Sequence, residues 1–281
     1  MIFAQTKELL SHAQKERYAI GAFNTNNLEV TQAIVAAAKR LNSPVIIQTT
    51  PSAIEYAGLS DIFLIVRNEI EQAKIPAIIH LDHAKDFETV RQAIEIGYPS
   101  VMIDGSQFSF SENLQLTKRV VNFAHGRGVA VEGEIGAIGR GEGGVGQKKD
   151  FLTDPDQAAE FVSKTQVDSL AISIGNAHGA PMGEVIDLKL LVAIRSKVDI
   201  PLVLHGSSGL RTTDLKAAIA AGICKINIDT NIRLAVIGAM KERLEKPTDD
   251  YREVMDSARK EVEKVVKKYI KILGSDSRSK V

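Results

Sequence analysis

Three histidines share one kind of position in this sequence, the end of a short apolar run followed by small or polar residues. His83 closes Ile78-Ile79-His80-Leu81-Asp82-His83-Ala84, His178 lies in Gly175-Asn176-Ala177-His178-Gly179, and His205 ends Leu202-Val203-Leu204-His205-Gly206-Ser207-Ser208-Gly209. The chain has six histidines, so half of them sit this way. Neutral imidazoles converging from three strands make a zinc site with a fourth position open to water or substrate, and such a site polarises a bound oxygen. Asp82 puts a carboxylate beside one of these imidazoles, on the strand face of Ile78 and His80, where it is placed to move a proton on a bound substrate. An isolated Asp-His pair would read more simply as a cap for a helix starting near Lys85. Two further strand-end histidines favour the chemical reading. His80 is expected inside the core with a hydrogen bond, and His12 and His125 on helix faces as bystanders.

Asp104 and Glu134 are the nearest additional carboxylates, able to orient a histidine or to hold a second or alternate cation. Glu132 and Glu134 share a strand face, and an ion pair in the barrel mouth is the competing use for them. Gly141-Glu142-Gly143-Gly144-Val145-Gly146 matches the dinucleotide fingerprint letter for letter. However, no helix begins after Gly146, and Glu142 would repel a pyrophosphate. A mobile loop carrying one carboxylate fits better, with a plain loop as the alternative. Gly206-Ser207-Ser208-Gly209, just before a helix start at Thr212/Thr213, and Asn227-Ile228-Asp229-Thr230 offer backbone N–H groups and hydroxyls suited to phosphate.

These residues need a scaffold. Eight β-branched runs recur: Ala19–Asn24, Pro44–Thr49, Ala77–Asp82, Ser100–Asp104, Ala130–Gly136, Ser169–Gly175, Leu202–Gly206 and Cys224–Asn227. Helical spacing fills Leu28–Leu41, Phe87–Ile96, Ser111–His125, Asp154–Lys164, Leu188–Ser196 and Thr213–Ala220, with Ser111 and Asp154 as caps. Strands alternating with helices imply right-handed βαβ units, and eight of them predict an α/β fold of the (β/α)8 barrel type; a doubly wound open sheet is the alternative. The polar residues fall where that barrel does chemistry, at the C-terminal strand ends, and the loops after strands seven and eight are its recurrent phosphate site. A helical C-terminal extension is expected over residues 230–273, packed on the barrel or a second subunit through Val262, Val265, Val266, Tyr269, Ile270 and Ile272. Residues 274–281 are expected to fray. No composition shift marks a boundary, so residues 1–281 are expected to form a single domain.

Composition narrows the function classes. Thirty-five basic and 35 acidic residues cancel, which argues against nucleic acid or an acidic membrane as the main partner while leaving room for a small anionic substrate. The lone Cys224 excludes a disulfide framework or thiolate cluster. With no leader-like start and no apolar run of about 18 residues, a cytoplasmic protein is expected.

Taken together, His80-Leu81-Asp82-His83-Ala84, Val131-Glu132-Gly133-Glu134-Ile135-Gly136, His178-Gly179, His205-Gly206-Ser207-Ser208-Gly209 and Asn227-Ile228-Asp229-Thr230 resemble, in order, the class II (zinc-dependent) fructose-bisphosphate and tagatose-bisphosphate aldolases, from about Ala19 to Asn231. The resemblance implies reversible cleavage of a ketose 1,6-bisphosphate, favouring fructose 1,6-bisphosphate, to dihydroxyacetone phosphate and glyceraldehyde 3-phosphate. Its implied metal ligands are His83, His178 and His205, with Asp104 and Glu134 as a second or alternate site. Asp82 and the loop residue Glu142 are the implied proton carriers. Gly179, Gly206, Ser207, Ser208, Asn227, Ile228, Asp229 and Thr230 are implied to hold dihydroxyacetone phosphate, accompanied by a monovalent cation, and Asn24 and Thr50 to touch substrate. A homodimer or homotetramer is implied, with Arg252 standing for the arginine that a neighbouring subunit offers to the far phosphate.

Two positions depart from the family pattern: Arg140 stands where a small residue is usual, and Ser207 replaces Gly or Ala. The rival readings are a tagatose-bisphosphate or other ketose-phosphate aldolase, a zinc phosphoesterase, a silent sugar-phosphate-binding protein, and a Schiff-base aldolase. The last would use Lys225, whose place before Asn227 suggests a side chain too deep or facing outward.

Overall fold

The computed structural model describes residues 2–136, 152–176 and 185–279 in full, and residues 139–140 and 177–178 by their backbone alone. Its strands are β1 (Ile20–Asn24), β2 (Val45–Thr49), β3 (Ala77–Ala84), β4 (Ser100–Ile103), β5 (Ala130–Ile135), β6 (Gly139–Arg140), β7 (Ser169–Ile172), β8 (Ala177–His178), β9 (Leu202–Leu204) and β10 (Ile223–Ile228). Eight of these close into a parallel barrel in the order β1-β10-β9-β7-β5-β4-β3-β2, while β6 and β8 pair only with each other, Arg140 opposite His178. This is the (β/α)8 architecture expected from the alternating runs.

Alternation along each strand divides the residues into two sets. The outward set, such as Phe23, Ile47, Ile79, Val101, Val131, Leu170 and Leu204, is apolar and joins the main core. Covering it are α2 (Leu28–Leu41), α3 (Pro51–Ala57), α4 (Leu59–Ala73), α5 (Phe87–Ile96), α6 (Phe110–His125), α7 (Pro155–Thr165), α8 (Leu188–Arg195) and α9 (Thr212–Ala220). The inward set changes character along the barrel axis. At the N-terminal end Ile20, Ala22, Ile46 and Ile78 pack against Leu9, Leu10 and Ala13 of α1 (Thr6–Lys15), which plugs the bottom of the barrel. Met102, Ala171 and Val203 form a small apolar layer above. Higher still, the buried inward residues are polar: Asn24, Gln48, His80, Asp82, Glu132, Glu134, His205, Lys225 and Asn227.

Four details differ from the sequence expectations. The cap of α6 is Ser109 rather than Ser111: its hydroxyl accepts from Glu112 N while the Glu112 carboxylate accepts from Ser109 N, a reciprocal capping box. Helices α1, α3 and α4 carry segments for which no element was expected. The C-terminal extension is two helices, α10 (Thr230–Leu244) and α11 (Tyr251–Leu273), broken around Pro247 and restarted by Asp250, whose carboxylate caps α11. Residues 275–277 are tied down rather than frayed, since Ser43 Oγ donates to Ser275 Oγ at 2.9 Å and Ser277 N to Leu41 O at 2.8 Å. Val262, Val266 and Ile270 of α11 are buried in the main core, so this helix packs on its own barrel.

Candidate active site

The site begins with a local distortion. Pairing between β3 and β4 shifts register between Leu81 and Ala84, and within that bulge His83 adopts φ +55°. The left-handed region is uncommon for a residue with a Cβ, and a bulge re-aims the side chain it carries. Consecutive strand residues normally point to opposite faces. Here the ligand atoms of Asp82, His83 and His205 all lie within 4.8 Å of one another. The helix-cap alternative for Asp82 falls away, because Asp86 caps α5.

Each of the two imidazoles turns one nitrogen inward and the other to a carboxylate. His83 Nδ1 donates to Asp104 Oδ2 at 3.0 Å, and His205 Nε2 donates to Glu132 Oε1 at 2.9 Å. Their remaining nitrogens, His83 Nε2 and His205 Nδ1, face each other at 3.0 Å. Glu134 Oε2 stands 3.6 Å from His205 Nδ1 and has no hydrogen-bond partner among the described residues. His83, Asp104 and Glu134 form a second cluster with ligand atoms within 4.8 Å. Paired imidazole nitrogens, each backed by a carboxylate, with a buried carboxylate oxygen alongside that is unsatisfied among the described residues, fit a divalent transition metal.

The electrostatics agree with that fit. Burial disfavours charge on His83, but Asp82, the Asp104 hydrogen bond and Glu134 outweigh it and push His83 up to about 10. Burial and, after the Glu132 hydrogen bond that opposes it, the His83 charge hold His205 below the usual imidazole range. These opposite shifts favour a charged His83 donating to a neutral His205 across their 3.0 Å contact, a place a cation would take in exchange for the proton. Burial and the Asp104 charge push Glu134 up to about 8.

Asp82 is 3 % exposed and held by three amides. Asn24 Nδ2 and Gln48 Nε2 donate to Oδ2 at 3.1 and 3.2 Å, and Asn227 Nδ2 donates to Oδ1 at 3.1 Å. Burial opposes its charge, yet His83, His205 and Lys225 hold its carboxyl below the usual range, so it is ionised and fixed in direction. Gln48 also donates to Asn24 Oδ1 at 2.8 Å, locking one amide with another.

The loops after β9 and β10 adjoin this cluster. Gly206 takes φ +61°, which a glycine adopts at low cost. Ser207 Oγ donates to Asn227 O at 2.7 Å, stitching the two loops together, and Ser208 Oγ is buried with no partner among the described residues. Asp229 and Thr230 lie at the N-terminus of α10, where Asp229 accepts from Arg233. The Ile228 side chain points into the core, so only its backbone can serve a ligand.

Other candidate residues are placed differently. Thr50 caps α3, accepting from Ala53 N. Arg252 lies exposed on α11, paired with Asp250, and is not brought to the cluster. Glu142 and Gly179 lie outside the described residues. For His178 only the backbone is described. Its segment is anchored by Asn176, whose Nδ2 donates to His205 O at 2.9 Å and whose Oδ1 accepts from Ile174 N.

Gln48 escapes the sequence reading of the site because it looks like an ordinary core polar, Asn176 stands there at a strand end without a role, and Lys225 is weighed only as a Schiff-base lysine, too deep or facing outward. Lys225 faces into the barrel, 1 % exposed, and donates to Glu132 Oε2 at 2.7 Å. Period-two alternation with Asn227 was the signal that could have placed it. His80 is in the core as expected, with Nδ1 2.8 Å from Ser100 Oγ.

Comparisons with known proteins agree with this geometry. The family model for class II fructose-bisphosphate aldolase matches residues 4–278. The crystal structure of the YdjI aldolase from Escherichia coli K12 is similar over 99 % of this chain and 100 % of its own, with 35 % identity and a TM-score of 0.89. A Coccidioides immitis protein assigned as a fructose-1,6-bisphosphate aldolase matches over 98 % of both chains at 31 % identity and a TM-score of 0.90. The fructose-bisphosphate aldolase of Campylobacter jejuni matches over 96 % of this chain and 94 % of its own, at 25 % identity and a TM-score of 0.80. With the barrel, the paired imidazoles and a family match that spans nearly its whole length, this chain belongs to the class II fructose-bisphosphate aldolases.

Proposed function

We propose that this enzyme cleaves a ketose 1,6-bisphosphate reversibly and with a divalent metal, fructose 1,6-bisphosphate being the favoured substrate and dihydroxyacetone phosphate and glyceraldehyde 3-phosphate the products. The observation that carries the reading is the facing pair His83 Nε2 and His205 Nδ1, 3.0 Å apart beside the ionised Asp82. His83, His205 and His178 would hold zinc, with Asp104 and Glu134 available to a second or displaced ion. When bound, zinc supplies the positive charge that polarises the ketone and stabilises the negative charge left on the three-carbon fragment.

The chain's own residues do the rest. Asp82 accepts the proton of the C4 hydroxyl as the C3–C4 bond breaks, and C4 becomes the aldehyde carbon. The electron pair of that bond passes to the dihydroxyacetone phosphate fragment, and Glu142 returns a proton to C3. Three amide donors keep Asp82 an acceptor aimed in one direction, which favours proton transfer in the substrate's geometry. Gly179, Gly206, Ser207, Ser208 and the Asn227–Thr230 turn would hold the phosphate of that fragment together with a monovalent cation. The buried Ser208 hydroxyl, without a partner among the described residues, supports this use. Asn24 and Thr50 would touch substrate.

Leu234, Ile237, Leu244 and Tyr251 leave large apolar surface exposed on the α10–α11 hairpin. That surface supports a homodimer or homotetramer, in which Arg252 would reach the far phosphate of a neighbouring site. No helix among the described residues is long and apolar enough to cross a membrane, and a cytoplasmic enzyme of carbohydrate metabolism, a glycolytic step included, is the setting we favour.

The test is side-by-side cleavage of fructose and tagatose 1,6-bisphosphates, which differ only at C4, with chelator and then added zinc. Chelator-sensitive release of dihydroxyacetone phosphate supports the proposal, and the rate ratio names the sugar. Chelator-resistant cleavage, or none with either sugar, overturns it.

A further inference from the structure

Glu132 of β5 and Lys225 of β10 stand behind His205, on the side of the ring nitrogen opposite the one that faces His83. Both are almost wholly buried, at 2 % and 1 % exposure. Glu132 uses its two oxygens differently. Oε2 accepts from Lys225 Nζ at 2.7 Å, with Ser169 Oγ at 3.5 Å and His80 Nε2 at 3.9 Å, while Oε1 accepts from His205 Nε2 at 2.9 Å. The carboxylate is a bridge between a buried ammonium and the back of an imidazole. The strand register fixes all three: Lys225 pairs with Val203 two residues before His205, and Glu132 lies opposite Ser169.

We propose that Lys225 is a positioning residue for His205: by pinning one oxygen of Glu132, it turns the other onto His205 Nε2, so that Nδ1 presents a lone pair to the site. This rests on the reading of His205 as a metal ligand. A carboxylate only accepts, and it therefore selects the imidazole tautomer with hydrogen on Nε2. A neutral amide in its place could accept or donate, and the tautomer would no longer be fixed. Partners of this kind behind a metal ligand are typically worth about 10–100-fold in metal affinity. A buried ion pair serving packing alone would make no such selection, and neutral residues of similar shape could replace it at little cost.

The experiment compares wild type, Lys225→Met and the neutral pair Lys225→Met/Glu132→Gln. The double variant guards against misfolding, because it leaves no buried charge uncompensated. Two quantities are read on each folded protein: the affinity for zinc alone, by competition with a chelating indicator, and, with His83→Ala added so that no imidazolium faces Nδ1, the His205 tautomer in the metal-free protein, by imidazole 15N NMR. Wild type should show the Nε2–H tautomer. The variants should show mixed tautomers and bind zinc about 10–100-fold more weakly. Wild-type affinity and a single tautomer in either variant overturn the proposal, and so does weaker zinc binding with an unchanged tautomer, which would signal general loosening. Should wild type bind no zinc, the metal reading of His205 falls, while the tautomer comparison still decides the role of Lys225.

Discussion

Asp82 and His83 are adjacent in the chain, yet their side chains meet the same cluster, because His83 sits at φ +55° inside a register shift of β3 against β4. One strained residue thus lets a single strand end supply both a proton acceptor and an imidazole.

The two roles separate by mutation. Asp82→Ala should lower kcat by about 10²–10⁴-fold, the range for removing a positioned base, while zinc content and substrate binding stay near wild type. Steady-state kinetics with metal analysis checks this, and normal turnover would take Asp82 out of the reaction.

His178→Ala should lose zinc and activity together. Metal analysis after gel filtration reads the first, and an unchanged zinc content would remove His178 from the ligand set.

Gln48 offers a pH signature. Hydrogen bonds to the charged form of a carboxylate lower its pKa, so deleting the Gln48 donor raises that of Asp82. Gln48→Met should shift the acid limb of the kcat/KM profile to higher pH, by about one unit, with the alkaline limb unmoved. An unshifted acid limb would mean that the limb does not report Asp82.

The opposite shifts of His83 and His205 favour a proton held between their facing nitrogens in the metal-free protein, with His83 and Glu134 raised to about 10 and about 8. Zinc must displace these protons. Apparent affinity should therefore climb as pH rises through neutrality, with net proton release near pH 7. Calorimetry in two buffers of different ionisation enthalpy measures that release, and zinc uptake without proton release contradicts the proton bridge.

At the other end of the barrel, Leu10→Ala in the α1 plug should cost about 2–5 kcal/mol of stability, as a buried leucine deletion does, and leave kcat/KM unchanged below the unfolding transition. A denaturant titration checks the first half and an assay at low temperature the second.

The barrel could be read from the chain because each strand announces itself twice, by β-branched residues and by the polar residue that ends it. Five of the site's side chains, Asp82, His83, Asp104, Glu134 and His205, stand at or next to such ends. Gln48, Glu132 and Lys225 were harder to assign because they lie within strands, where a polar residue can face a core, a partner charge or a substrate, and only the closed barrel decides. The turn of His83 into the site leaves no compositional mark, since the conformation is forced by pairing with β4. Helices α3 and α4 follow Thr50-Pro51 with no strand between them, so the βα rhythm gave no cue for a pair. Ser109 outcompeted Ser111 as a cap because its partner Glu112 sits three residues on, the spacing a capping box needs.

The bottom of the barrel gathers both ends of the described chain. Ala4 N donates to Ala77 O at the start of β3, Ser277 N reaches Leu41 O just before β2, and the Arg278 guanidinium stands over the Tyr18 ring. The histidines open at the opposite face. A linker or solid support joined near Ala4 or Arg278 is thus held a full strand length from the mouth, and a protein tethered that way keeps its site turned toward solution.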